Sequence, residues 1–96
     1  MKASLALQIL PLSQDVNRLE VIDKVINYLQ SQPVKQVVTP FETVLEGEWD
    51  DLMAILKTAI ELAGEEADNI FANVKINYGE ILTIDEKLEK YDAQAD

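Results

Sequence analysis

The chain has 96 residues, 48% of them hydrophobic, and eight basic against eighteen acidic side chains give it a formal net charge of −10. This length fits one domain, residues 1–96, built on one core. The charge argues against nucleic acid, whose phosphates need clustered lysine and arginine, and against an anionic membrane surface, while it tolerates a cationic ligand.

Ala3 to Leu10 alternates with period two, setting Leu5, Leu7 and Ile9 against Ser4, Ala6 and Gln8. That pattern predicts a strand covered on one face, closed by Pro11. Asn17-Arg18-Leu19-Glu20 is an Asn-x-x-Glu helix start, in which two side chains can satisfy the first free amides. Leu19, Ile22, Val25, Ile26 and Leu29 follow at helical spacing, and Pro33 forces the end because the residue before proline avoids helical angles. Gln36 to Pro40 and Thr43 to Gly47 predict two short strands around a turn at Pro40-Phe41-Glu42.

Glu48, Asp50 and Asp51 place acid at the positive end of a second helix. Trp49, Leu52, Met53, Leu56, Ala59, Ile60 and Ala63 supply its apolar stripe, and Gly64 marks its end. Asn69 to Asn77 alternates again, with Ile70, Ala72, Val74 and Ile76 opposing Phe71, Asn73, Lys75 and Asn77. Thr83-Ile84-Asp85-Glu86 is another capping-box pattern, after which Ile84, Leu88 and Tyr91 share one face of a short helix. The order β-α-β-β-α-β predicts an α+β, ferredoxin-like domain. Its four-stranded antiparallel sheet carries two helices on one face, with a short C-terminal helix appended. The other sheet face is expected bare, displaying Ser4, Ala6, Gln8, Phe71, Asn73 and Lys75 to a second subunit or a ligand.

Histidine and cysteine are both absent, which removes the commonest general base, the commonest transition-metal ligand, disulfides and thiol chemistry. No catalytic residue is assigned, and no cofactor is expected. Met1-Lys2-Ala3-Ser4-Leu5 has one basic residue, and the apolar run after it is broken by Gln8 and Pro11. Neither a signal peptide nor a membrane span fits, so the expected location is cytoplasmic. Glu46, Glu48, Asp50 and Asp51 lie close together, but their spacing matches no calcium loop and a helix start accounts for the last three, so no metal site is expected. Glu46 is a charge in a central strand beside Gly47, and a strand-end salt bridge with Lys75 is its plainest role. An acylphosphatase would need a glycine-rich arginine loop, which Arg18 lacks. A copper chaperone would need paired cysteines, and an RNA-recognition domain would need exposed aromatics and basic residues on its middle strands.

Gln8-Ile9-Leu10-Pro11 and Val21-Ile22-Asp23-Lys24-Val25-Ile26 resemble the opening of the small thiamine-binding protein family. Thr39-Pro40-Phe41-Glu42-Thr43-Val44-Leu45-Glu46-Gly47-Glu48, followed by Trp49-Asp50-Asp51-Leu52-Met53, resembles its central hairpin and second helix. Asn73-Val74-Lys75-Ile76-Asn77 resembles its last strand, so the likeness runs over about residues 3–91. Tyr78-Gly79 departs from it, standing where a charged pair would follow the last strand. The resemblance implies binding of thiamine or its hydroxymethylpyrimidine portion without an established reaction. It also implies homo-oligomers, dimers or tetramers that pack through the sheet. An aminopyrimidine needs donors and acceptors in fixed geometry. Gln8, Thr39, Thr43 and Asn73 are candidates to supply them, Glu46 to meet a protonated ring nitrogen or the amine, and Phe41 or Phe71 to cover the ring, while Lys75 is a candidate as a desolvated functional amine, its plainer role being to pair with a carboxylate or reach water. The competing expectation is a structural or regulatory module that docks a protein through its open sheet face. An enzyme with carboxylate chemistry at Glu46 comes third.

Overall fold

The alternating runs become strands and the 3.6-periodic runs become helices in a computed structural model that describes residues 1–92. In chain order these are β1 (Lys2–Pro11), α1 (Arg18–Gln30), β2 (Lys35–Val38), β3 (Thr43–Glu48), α2 (Trp49–Gly64), β4 (Ile70–Tyr78) and α3 (Ile84–Asp92). The strands form one antiparallel sheet in the order β2-β3-β1-β4. This is the α+β, ferredoxin-like arrangement that the element order predicts. Among the described residues no helix is long and apolar enough to cross a membrane.

Both long helices lie on one face of the sheet. Ala3, Leu5, Leu7 and Ile9 of β1 and Leu45 of β3 point toward them. There they meet Val21, Val25 and Leu29 of α1 and Leu52, Ile55, Ala59 and Ala63 of α2. Gly47 sits where a Cβ would approach the Val34 side chain to 3.3 Å, so it lets the β2 approach lie close over β3. Gly79 holds φ at +110°, a conformation that side chains resist, and this ends β4.

The helix ends follow their sequence signals. Asn17 accepts from the amides of Leu19 and Glu20. At α3 the capping box is complete: the Thr83 amide donates to Glu86 at 3.1 Å, and the Glu86 amide donates to the Thr83 hydroxyl at 3.0 Å. Capping by backbone and hydroxyl donors holds the Glu86 carboxyl below its ordinary range, the backbone bond contributing most. At the end of α1, the Ser31 hydroxyl donates to the Tyr28 carbonyl and the Gln36 amide donates to that of Leu29. Carbonyls that a helix end leaves orphaned are satisfied in this way.

Several expectations change. Leu19 is exposed, because α1 turns Val21, Val25 and Leu29 inward, and a residue two before Val21 lies 200° away around the helix. Ile55 joins the buried stripe of α2, while Trp49, Met53, Leu56 and Ile60 pack only partly against the core. The second sheet face is not bare throughout. The chain after β4 returns across it, burying Ile84 beside Glu46, and Ser4, opposite Glu46 in the register, is buried as well. The side chain of Tyr91, expected on the apolar face of α3, lies outside the described residues.

Candidate functional site

The site begins with a mismatch in strand length. β1 runs for ten residues and β3 for six, and their pairing ends at Leu7 opposite Thr43. Beyond that point β1 keeps β4 on one side, through Pro11 opposite Ile70, but has no strand on the other. The hairpin tip, residues 39–42, stands off from β1, and α1 roofs the gap.

The result is a cavity of about 180 Å³. Ile22, Val25, Ile26 and Leu29 of α1 form one wall, Leu7 to Leu10 of β1 form the floor, and Val38 to Thr43 form the far side. The walls are largely aliphatic, and Glu42 is the one charged residue that lines them. Enclosed sites for drug-sized ligands run to roughly 300–1,000 Å³. This cavity is smaller, the size of a single ring.

The backbone parity of β1 decides which polar groups face it. The Leu12 amide donates to the Asn69 carbonyl at 2.9 Å, and the Gly79 amide donates to the Lys2 carbonyl at 3.0 Å. Even-numbered residues of β1 therefore turn their amides and carbonyls toward β4. Met1, an odd position, turns its carbonyl the other way and accepts from Trp49 at 2.8 Å. Ile9 is odd, so its N–H and C=O point where β3 would continue, into the gap. Among the described residues neither group has a hydrogen-bond partner. The Thr43 hydroxyl, on a buried residue that also lines the cavity, has none either. One donor, one acceptor and one hydroxyl thus face an otherwise apolar space. Backbone groups are rarely left unpaired in such settings unless water or a ligand meets them.

The eight residues singled out from the sequence divide. Gln8, Thr39, Phe41 and Thr43 line the cavity, whereas Glu46, Phe71, Asn73 and Lys75 do not. Thr39 is committed elsewhere: its hydroxyl donates to the Glu42 carbonyl at 2.7 Å and accepts from the amides of Phe41 and Glu42. It holds the hairpin tip open and leaves little for a ligand. Phe41 stands 78% exposed at the mouth. On the opposite sheet face, Asn73 donates to Gln8 at 3.0 Å. Lys75 pairs with Glu42 at 3.3 Å, not with Glu46 as expected, because Glu42 at the hairpin tip overhangs the end of β1. Glu46 is spent differently again. Its carboxylate accepts from the Ile84 amide at 2.5 Å, and Lys35 across the β2–β3 pair is bound to Asp85 at 2.6 Å. The Lys35 ammonium is held above its ordinary value, first by its hydrogen bond to Asp85. Glu46 therefore anchors α3. Glu48 is tied to Lys2 and the N-terminal amine, and among the described residues no three acidic side chains gather to hold a metal ion.

Sequence reasoning missed Ile9, Glu42 and the α1 wall. An aliphatic residue gives no sign that its backbone is the functional part. The available signal was the extra length of β1 over its hairpin partner.

Three comparisons bear on this geometry. The family model described as thiamine-binding protein matches residues 5–92. The UPF0045 protein CPE1503 of Clostridium perfringens is 46% identical over 90 residues, which cover 92% of this chain and 95% of that one. The crystal structure of protein SP2199 from Streptococcus pneumoniae is 73% identical, covers 93% of this chain and 99% of its own, and superposes with a TM-score of 0.82. A structure from Thermotoga maritima, TM0486, put forward as a thiamine biosynthesis or salvage protein, is 29% identical with a TM-score of 0.85 and covers 95% of this chain and 99% of its own.

Proposed function

Because the chain belongs to the thiamine-binding protein family, we propose that it binds thiamine, or the hydroxymethylpyrimidine half of it, without transforming it. The aminopyrimidine ring enters the cavity between α1 and the hairpin. The observation that carries this is the unpaired Ile9 backbone in an aliphatic, ring-sized space. An aminopyrimidine offers a ring nitrogen that accepts and an exocyclic amine that donates, side by side. The Ile9 N–H and C=O, on the same side of the same residue, complement that pair as a neighbouring strand would. Thr43 Oγ1 supplies the third polar contact. The cationic second ring of thiamine projects through the mouth past Phe41, toward Glu42 and the acidic surface, where a cation–π contact and the net charge of −10 both favour it.

A non-catalytic role is supported by the lack of histidine and cysteine in the sequence and by the commitment of Glu46 to α3. No cofactor enters this scheme. The same proposal takes the protein as a cytoplasmic carrier, buffer or sensor of vitamin B1 that works as a homodimer or homotetramer. Fractionation of cells that express it checks the location.

Calorimetric and thermal-shift titrations with thiamine, hydroxymethylpyrimidine and thiamine phosphate test the ligand. A ligand at 100 times its dissociation constant stabilises the fold by about 2.7 kcal/mol. The expected result is a rise in melting temperature with at least one of the three. If none of them shifts it at millimolar concentration, the proposal fails.

A further inference from the structure

Among the described residues Glu42 is the only charged one that lines the cavity, and its carboxylate is held from the far side of the sheet. The backbone of Glu42 is fixed three times over. Its amide donates to the Thr39 hydroxyl at 3.0 Å, and its carbonyl accepts from the Thr39 amide at 3.0 Å and the Thr39 hydroxyl at 2.7 Å. The side chain has no such ties. Among the described residues its one partner is the Lys75 ammonium, 3.3 Å from Oε1. The carboxylate can therefore change partners while the hairpin tip stays where Thr39 holds it.

Lys75 reaches Glu42 from β4, across β1. Its register partner is Ala6, which in turn faces Val44 of β3. A methyl group at position 6 leaves the long lysine stem room to cross. The neighbours of Lys75 on this face of β4, Asn73 and Asn77, are uncharged, and Asn73 is engaged with Gln8. The two ends of the ion pair differ in setting: the Lys75 side chain is 77% exposed, the Glu42 side chain only 25%. A pair with so exposed an end holds weakly and is screened by salt. It offsets the Glu42 charge beside the cavity, yet it yields to a cation that meets the carboxylate from the cavity side.

From this geometry we propose that Lys75 is a specificity-determining residue that acts through Glu42. It sets how strongly the site prefers the cationic two-ring ligand to the uncharged pyrimidine alone. This rests on the cavity being the pyrimidine site and deepens that reading.

The two halves of thiamine differ in charge. Its second ring is a permanent cation, whereas the pyrimidine is uncharged at neutral pH. With the Glu42–Lys75 pair intact, the mouth holds one charge of each sign, and the cationic ring is drawn to one and repelled by the other. Its advantage over the bare pyrimidine is then small, so both ligands stay within range of the site. Without Lys75, Glu42 is a mostly buried carboxylate beside an aliphatic wall, and the ligand is the cation that meets it. Without Glu42, the Lys75 ammonium is released and opposes the cationic ring. Lys75 is thus a positioning residue: it governs the ligand's charge preference without lining the cavity.

The test is calorimetric titration of the full chain and its variants with thiamine and with hydroxymethylpyrimidine, at low and high salt. Lys75→Met is expected to raise the ratio of thiamine to pyrimidine affinity by about two- to fivefold, the range of an exposed ion pair. Its thiamine affinity should also fall more steeply with added salt than that of the wild type. Lys75→Arg keeps the charge and should keep the wild-type ratio. Glu42→Gln should lower the ratio, and adding Lys75→Met to it should give no gain, because the lysine acts through the missing carboxylate. A wild type that binds the pyrimidine, with an unchanged ratio in folded Lys75→Met, overturns the role of Lys75 and leaves the cavity reading standing. So does an equal gain from Lys75→Met in the Glu42→Gln background. A wild type that binds neither ligand overturns the cavity reading, and this inference with it.

Discussion

The first six residues of β1 and the last four belong to one strand but differ in their neighbours. From Lys2 to Leu7 the strand lies between β3 and β4, its odd carbonyls and amides are satisfied by β3, and its side chains fill the core. From Gln8 to Pro11 the β3 side is empty, and of the two odd positions there, Ile9 and Pro11, Ile9 presents its backbone to a cavity instead. The Ile9 side chain still packs inward, so core and site share a residue. A strand that outruns its partner becomes a strip of hydrogen-bonding groups of fixed geometry, and this needs no special side chain.

If that division is right, substitutions in the two halves should have different consequences. Leu5 and Leu45 are buried and adjacent across the β1–β3 pair. Replacing either with alanine is expected to cost about 2–5 kcal/mol of stability, read by urea unfolding. Ligand affinity of the fraction that stays folded should change little. At the other end, exchanging the Ile9 amide for an ester oxygen removes one donor and keeps the side chain. Ligand binding should weaken by about 1 kcal/mol or more, a loss of roughly fivefold, with little change in stability, since no ladder bond is lost. Thr43→Val keeps the shape and deletes the hydroxyl, so calorimetry should show a smaller loss, about 0.5–1 kcal/mol, with stability retained. Equal losses of stability at Leu5 and at the Ile9 amide would dissolve the distinction between the halves.

Phe41→Ala sharpens the comparison further. The side chain stands in solvent, so stability should move by less than about 0.5 kcal/mol. The affinity for thiamine should fall more than that for its single-ring pyrimidine, because Phe41 meets only what projects from the mouth. The smallest expected effect concerns α3. The folded-state carboxyl of Glu86 is held low by the Thr83 backbone and hydroxyl, so its contribution is present above the ordinary carboxylate range and is lost as pH falls through the depressed value. Acidification should therefore raise hydrogen exchange in residues 83–89 before the sheet amides respond, and the cavity should be unaffected.

The elements were legible because each carries its own period and its own stop. Alternation marked β1 and β4, the Asn17 and Thr83 caps marked two helix starts, and prolines marked the ends. The helical stripe was offset at Leu19, since several apolar residues compete for a helix face and only packing selects among them. The site was legible in part. Phe41 and Thr43 line the cavity and Gln8 borders it, but the Gln8 side chain is paired with Asn73, and Lys75 and Glu46 find their partners, on the other face of the sheet. Which face a charge occupies depends on register, and register is a relation between strands that no single segment encodes. The role of Ile9 is hidden more deeply, because it depends on where a neighbouring strand stops.

Amide chemical shifts of isotope-labelled protein, followed during titration with hydroxymethylpyrimidine, test the central claim most directly. The account predicts the largest change at the Ile9 amide, with smaller ones along residues 39–43 and the facing turns of α1, and almost none at Leu5. Saturating shifts confined to Asn73, Lys75 and Phe71 on the opposite face, or no shifts at all, would contradict it.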